Sequence, residues 1–126
     1  MGEEADKKGI ISHRDLRIFQ SSYAAALEIH RKTLKFPAFE RGELGSQLRR
    51  ASKSIPINIA EGFGRRSSAE DFRRFLVIAL GSCDEVSVLL DFAHDLNYLD
   101  DASYRAFKAR YDEIGRGLTK TIQVWR

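Results

Sequence analysis

The 126-residue sequence is poor in the residues that mark several classes of protein. Its single cysteine, Cys83, cannot form a disulfide within the chain and has no second thiolate for a metal site, which is typical of a reducing cytoplasm. Two prolines and nine glycines are too few for a turn-rich sandwich or a disordered chain. The remaining composition, 43% apolar and 31% charged, is that of a globular helical protein.

Long hydrophobic runs are also missing. The longest extends only from Phe75 to Leu80, whereas a helix that crosses a bilayer needs roughly 20 apolar residues. The charged residues 1–9 lack the apolar stretch of a signal peptide. We therefore expect a cytoplasmic protein without a membrane partner, in which residues 1–12 form a disordered or extended tail and residues 13–126 form one domain.

Apolar residues that recur at steps of three and four predict four helices. The first is expected to begin after Ser12, which can cap it, and to stop at Pro37. The core stripe predicted for this helix is Phe19, Tyr23, Ala26, His30 and Leu34.

The limits of the other three helices follow from capping residues. Gly62 and Gly64 are expected to end the second helix in a left-handed cap. Residues 67–70 read as a capping box that opens a third helix over residues 69–97, and Asp100 or Asp101 would cap the fourth. Short connections between four such segments predict an all-α fold, an antiparallel up-down-up-down four-helix bundle.

The second helix contains Pro56, and a strand is the alternative there. Ile55, Ile57 and Ile59 alternate as they would in a strand. However, the helical pattern continues on both sides of Pro56, and a lone strand would leave its backbone groups unpaired. A kinked helix is therefore expected.

The third helix carries more apolar surface than one bundle needs, because residues 75–80 cover nearly its whole circumference. Exposed apolar surface of this kind usually marks an interaction site. We expect Phe75, Val77 and Ile78 to contact another subunit, with deeper burial inside one subunit as the alternative.

No constellation of catalytic or metal-binding residues is evident. A di-iron bundle needs paired Glu-x-x-His motifs, which the sequence lacks. His30 lies on an apolar stripe and is predicted to be a core histidine rather than a metal ligand, and Cys83 is predicted to be a buried structural thiol. The expected protein is not an enzyme and has no metal or cofactor.

Charge is distributed unevenly along the chain. Residues 41–75 hold eight lysines and arginines against four acids, whereas residues 76–100 hold five acids and no lysine or arginine. Such segregation favours an oriented electrostatic contact. The alternative is that both runs are ordinary solvated helix faces.

Several motifs in the middle of the chain carry a family resemblance. They are Gln47-Leu48-Arg49-Arg50-Ala51, Ser54-Ile55-Pro56, Asn58-Ile59-Ala60-Glu61-Gly62-Phe63-Gly64-Arg65, Phe75-Leu76, Ile78-Ala79 and Gly81-Ser82. With them the chain resembles the four-helix-bundle family of proteins encoded in intervening sequences of bacterial large-subunit ribosomal RNA, which is similar to the accessory variability proteins of diversity-generating retroelements. Asn97 departs from the family pattern, which usually has glycine there.

The resemblance implies a ring-shaped homopentamer whose basic surface contacts RNA or DNA. Lysine and arginine would bind phosphates with little sequence preference. The candidate nucleic-acid-binding residues are Arg49, Arg50, Lys53, Arg65, Arg66, Arg73 and Arg74. For each of them singly, a structural role is an equal alternative. The alternative function is an oligomeric scaffold that docks a protein partner on the ring without contacting nucleic acid.

Overall fold

The structure, a computed structural model, describes residues 10–125. Within that range the chain forms four long helices and no strand, which confirms the predicted all-helical class. The helices are α1 (Arg17–Thr33), α2 (Leu44–Gly64), α3 (Ala69–Asp95) and α4 (Asp101–Val124). A 3-10 turn at His13–Asp15 precedes α1, and a one-turn helix at Ala38–Arg41 precedes α2. Most of the predicted N-terminal tail, residues 1–9, lies outside the described residues.

The first helix begins later and ends earlier than predicted. Ser12 caps the 3-10 turn and not α1. It forms a capping box with Asp15, whose carboxylate accepts hydrogen bonds from the N–H groups of Ile11 and Ser12. Leu16 is extended and separates this turn from α1. At the other end α1 stops at Thr33, before Pro37.

The second helix runs without interruption through Pro56, as predicted. The prediction of a left-handed glycine cap at its end is wrong. The cap residue is Arg65, and its φ of −110° is not left-handed. Gly62 serves packing instead. A Cβ atom there would lie 2.8 Å from the Cβ of Phe75 and 3.0 Å from Cδ1 of Phe72, so glycine allows α2 and α3 to approach closely.

Single side chains cap the last two helices. Ser68, rather than Ser67 in a capping box, accepts the N–H of Asp71 at the start of α3. Asp100 caps α4 by accepting the N–H of Ser103 at 2.7 Å, as predicted. Between these helices Asn97 adopts a φ of 67°, the left-handed conformation that glycine and asparagine tolerate best.

The core lies between the four helices, and the predicted α1 stripe is confirmed only for Phe19 and Ala26, which are buried. Tyr23 and Leu34 are about half exposed, while Ser22 and Ala25 are fully buried. These small residues let α1 pack against its neighbours but carry no strong apolar pattern. The residues buried at 1% exposure or less are Ser22, Ala25, Ile29, Thr33, Leu48, Ser52, Ile55, Ile59, Phe72, Leu76, Ala79, Val86, Leu90, Ala93 and Leu118.

Neighbouring helices in the chain also pack as neighbours in space, whereas α1 packs only sparsely against α4. None of the helices between residues 10 and 125 combines the length and apolar character that a membrane span requires.

Candidate nucleic-acid and subunit interfaces

Arg49 and Arg50 are adjacent on α2 but have different surroundings. The Arg49 guanidinium donates to Oγ1 of Thr33 at 2.9 Å and to the carbonyl of Arg41 at 2.7 Å. It therefore ties the end of α1 and the one-turn helix to α2. Arg50 is exposed, and no hydrogen bond or ion pair joins its side chain to the described part of the chain. Only Arg50 of this pair is available to a ligand.

Lys53, one turn after Arg50, is exposed and lies beside His30. Its Nζ is 3.0 Å from His30 Nδ1, so the ammonium donates and the ring nitrogen accepts. Burial, with the Lys53 charge second, lowers the pKa of His30. This corrects the prediction of a core histidine, because His30 is partly exposed on the wall of a surface groove.

Arg65 and Arg74 lie on the same aromatic ring at the turn between α2 and α3. Their guanidinium carbons are 5.3 Å and 4.7 Å from the ring centroid of Phe75, within range of cation–π attraction. Arg74 also lies 3.6 Å from the carboxylate of Asp71. Both arginines are exposed, so Phe75 orders them while their charge stays accessible to solvent.

Arg66 and Arg73 serve the fold at the same end of the molecule. Arg66 donates to the carbonyl of Phe63 at 3.0 Å and lies 3.9 Å above the ring of that residue. Arg73 donates to the carbonyl of Trp125, which fastens the end of α4 to α3. The seven predicted residues thus divide in two. Arg50, Lys53, Arg65 and Arg74 face outward, and Arg49, Arg66 and Arg73 hold backbone groups.

The three residues predicted to contact another subunit also fall into an exposed and a buried group. Val77 and Ile78 are 54% and 44% exposed, as an interface residue must be in one free subunit. Phe75 is 8% exposed and packs within its own chain, which corrects its assignment to the interface. It faces α2, where Gly62 leaves room for it.

Sequence reasoning missed part of this apolar face. Val88, Phe92 and Leu96 follow at steps of four residues, and each is about half exposed. Their spacing places Val88 and Phe92 along one side of α3 with Val77, and Leu96 follows directly after the helix. Testing every face of the helix for spacing, rather than the run at residues 75–80 alone, would have found them.

A second apolar feature, a groove of about 490 Å³ between α1 and α2, was not predicted. Tyr23, Leu27 and Ile57 are its most exposed lining residues. Lys53 and His30 supply its polar edge. Four of the five residues predicted as the α1 core stripe line this groove. Phe19 and Ala26 are buried as predicted, whereas Tyr23 is exposed and His30 partly exposed.

A polar network connects α3 and α4 at the opposite end from Arg65. Asp91 accepts hydrogen bonds from the Tyr104 hydroxyl at 2.6 Å and from Lys108 Nζ at 2.9 Å. The ring of His94 stacks on Tyr104, and its Nε2 lies 2.6 Å from an Asp101 oxygen. The hydrogen bond to Asp101 is the main cause that raises the pKa of His94.

Neither the acidic side chains nor the cysteine forms a reactive site in the described chain. Residues 10–125 contain no cluster of three or more histidine, cysteine, aspartate or glutamate side chains that could hold a metal ion. Cys83 is buried and donates to the carbonyl of Tyr111, and burial raises its pKa to about 11. A thiol with this pKa is a poor nucleophile at neutral pH.

Comparison with known proteins gives a family match and a structural match. A family profile described as 23S rRNA-intervening sequence protein matches residues 14–120. A crystal structure from Bacteroides thetaiotaomicron, of a protein of unknown function from the S23 ribosomal protein family, is similar with a TM-score of 0.73 and 25% identity. That similarity covers 84% of this chain and 95% of the other. No curated protein matches the chain.

Proposed function

The chain belongs to the family of 23S rRNA-intervening sequence proteins, and we propose that it is a non-enzymatic, self-associating helical bundle that binds nucleic acid in the cytoplasm. The ligand is structured RNA, or RNA and DNA, and it is held through a basic surface. The subunit is an up-down-up-down bundle, and its copies form a ring-shaped homopentamer.

The observation that carries nucleic-acid binding is the outward position of Arg50, Lys53 and Arg65, each without a carboxylate within ion-pair distance in residues 10–125. Unpaired surface cations neutralise phosphates and release the counterions condensed on them, which gives affinity with little sequence preference. The acids of α3, from Asp84 to Asp95, lie on a different helix from these cations.

Self-association is supported by two apolar surfaces on different helices. One is the outer face of α3 around Val77 and Phe92, and the other is the α1–α2 groove around Leu27 and Ile57. The α3 face carries the acid Glu85, whereas the groove carries Lys53, so the two are complementary in charge. A contact between two different surfaces is heterologous, and repeated around one axis it closes a ring.

Salt dependence of binding tests the nucleic-acid proposal. With a fluorescein-labelled RNA stem-loop, the logarithm of the association constant should fall linearly with the logarithm of salt concentration, by about 0.9 per neutralised phosphate. Arg50→Glu with Arg65→Glu should weaken binding by roughly tenfold or more and flatten this slope. Arg41→Glu with Arg105→Glu, an equal charge change at other exposed positions, is the matched control and should bind nearly as the wild type. Absence of binding at low salt, or binding that does not depend on salt concentration, would contradict the proposal.

A protein-docking scaffold is the alternative, because the α1–α2 groove is lined mainly by apolar side chains. A pull-down from lysate with and without nuclease separates the two functions. Partners that persist after nuclease favour the scaffold, and partners released by nuclease favour nucleic-acid binding.

A further inference from the structure

Two clefts lie between α1 and α4, which pack more sparsely than the helices that follow one another in the chain. The first has a volume of about 380 Å³ and the second about 390 Å³. Arg110 and Glu28 form an ion pair across the first cleft. In the second, Gly117 comes so close to α1 that a Cβ atom there would lie 3.0 Å from Cγ2 of Ile18. Together these contacts place the two clefts in line along one seam, which we call the α1–α4 groove.

The groove carries an excess of positive charge. The charged residues that line the first cleft are four cations, Arg31, Lys32, Lys35 and Arg110, and one acid, Glu28. Those that line the second are three cations, Arg17, Arg116 and Lys120, and one acid, Glu113. Two further acids reduce this excess from the edges. Asp100 lies near Lys32, and Asp112 forms an ion pair with Arg116.

None of these seven cations belongs to the basic segment that the sequence singles out. The sequence does not reveal them as a group, because they come from two segments at opposite ends of the chain and each segment also contains acids. Only the packing of α1 beside α4 gathers them on one surface. Among the acids of the same two helices, Asp101 at the start of α4 contacts His94 and lines neither cleft.

We infer that the α1–α4 groove is a binding track for the sugar-phosphate backbone of nucleic acid. This inference rests on the proposed function for the class of ligand, but it assigns a site that the basic central segment does not include. From Arg17 to Lys32 the track extends about 22 Å along α1, at 1.5 Å per residue. That length corresponds to roughly six phosphate steps along one strand of a duplex.

The chemistry of the lining favours backbone contacts over reading of bases. Long cationic side chains reach phosphates without fixed geometry, and the hydroxyls of Ser21 and Ser103 lie beside them as short hydrogen-bond donors. The clefts carry no side-chain amide and no exposed aromatic ring for a base edge or a stacked base. Binding in the groove should therefore depend on backbone shape and charge, not on sequence.

The experiment measures fluorescence anisotropy of a fluorescein-labelled RNA stem-loop with the full-length protein over a salt series. Lys32→Glu with Lys35→Glu is the groove variant, and Arg41→Glu with Arg105→Glu is its control, since both make the same charge change at surface positions. Thermal unfolding by circular dichroism establishes that both variants are folded. A second groove variant, Arg17→Gln with Lys120→Gln, removes charge at the other cleft without adding acid.

We expect both groove variants to bind more weakly, the glutamate variant by roughly tenfold or more, and their salt slopes to fall by about two. The control should keep the wild-type slope, because neither Arg41 nor Arg105 lines either cleft. If the wild type binds and the groove variants match it in affinity and slope, the groove inference is overturned while the proposed function stands. If the wild type does not bind the RNA at any salt concentration, both are overturned.

Discussion

Gly62 of α2 packs directly against Phe75 of α3, and no side chain larger than the hydrogen of glycine fits between them. A Cβ atom on Gly62 would be 2.8 Å from the Cβ of Phe75 and 3.3 Å from the carbonyl oxygen of Phe72. Contacts with a Cβ atom and a backbone carbonyl cannot be relieved by rotating a flexible side chain. The two helices therefore depend on glycine at this crossing.

Replacing Gly62 with alanine should destabilise the protein. Overpacking of a tight contact costs about 1 to 3 kcal/mol, and the better helix propensity of alanine returns about 1 kcal/mol at most. We expect a net loss of about 1 to 2 kcal/mol in the free energy of unfolding, measured by urea denaturation. Gly64→Ala is the control, because nothing lies within 4 Å of a Cβ atom at Gly64. Equal stability of the two variants would contradict the packing role.

Arg49 and Arg50 offer a paired test of structure against binding. Arg49→Gln should reduce the free energy of unfolding by about 1 to 3 kcal/mol, because it removes charge-assisted hydrogen bonds to Thr33 and to the carbonyl of Arg41. Arg50→Gln should change stability by no more than about 0.5 kcal/mol while weakening RNA binding. Denaturation and anisotropy measured on both variants check this, and a stable Arg49→Gln protein would contradict it.

The sequence predicted the helices well and their solvent-facing sides poorly. Stripes of large apolar residues identify α2, α3 and α4, because side chains such as Leu48, Leu76 and Leu118 are both hydrophobic and regularly spaced. The core face of α1 was predicted only in part. Ser22 and Ala25 bury little apolar area and were not assigned to the core, whereas the larger Tyr23 was. Small residues in a core are visible only once the opposing helix is in place.

The candidate binding residues divide for a similar reason. Which arginine of an adjacent pair points outward depends on the backbone carbonyl that the other one meets, as Arg66 meets that of Phe63. That carbonyl belongs to the end of a helix whose limits the sequence gives only approximately. Cations from α1 and α4 could not be grouped at all without the tertiary fold.

Charge on the outer face of α3 should prevent self-association. Val77→Asp with Phe92→Asp places two carboxylates on a face where each side chain is now more than half exposed, so the folded subunit should tolerate them. Burying those charges at a subunit contact would be strongly unfavourable. Light scattering should then give a monomer for this variant. Phe39→Asp changes an exposed aromatic residue of the one-turn helix and should leave the assembly intact. An oligomer that survives both α3 substitutions would contradict the role of this face.

His94 should make stability depend on pH. Its folded pKa is raised above the ordinary 6.5, first by the hydrogen bond to Asp101 and then by that to Asp95. Because the pKa of His94 is higher in the folded protein than in the unfolded chain, protonation stabilises the fold. This stabilisation is fully present below pH 6.5 and is lost as the pH rises through the folded pKa. The ring also stacks on Tyr104, and its charge acts on Asp91. Hydrogen bonds lower the pKa of Asp91 and raise the pKa of Tyr104, so neither group changes its charge in this range.

His94→Gln should remove this decline in the free energy of unfolding, which urea denaturation at a series of pH values measures. His30 is distinguishable, because its lowered pKa acts below 6.5 and in the opposite sense, so its contribution to stability increases as pH rises toward 6.5. A wild-type profile that is flat above 6.5, or a decline that persists in His94→Gln, would contradict the assignment.

Cys83 should react with thiol reagents only when the protein unfolds. The side chain is 4% exposed, its Sγ donates to the carbonyl of Tyr111, and burial raises its pKa to about 11. Both the access of the reagent and the fraction of thiolate are therefore small in the folded protein. Labelling with a chromogenic disulfide reagent should be slow under native conditions and immediate in denaturant. Because Gly62→Ala destabilises the bundle, it should accelerate native labelling in proportion to the population of open molecules, whereas Gly64→Ala should not. Rapid labelling of the native wild type would mean that Cys83 is reached without unfolding, and the thiol would then have to be treated as a surface group.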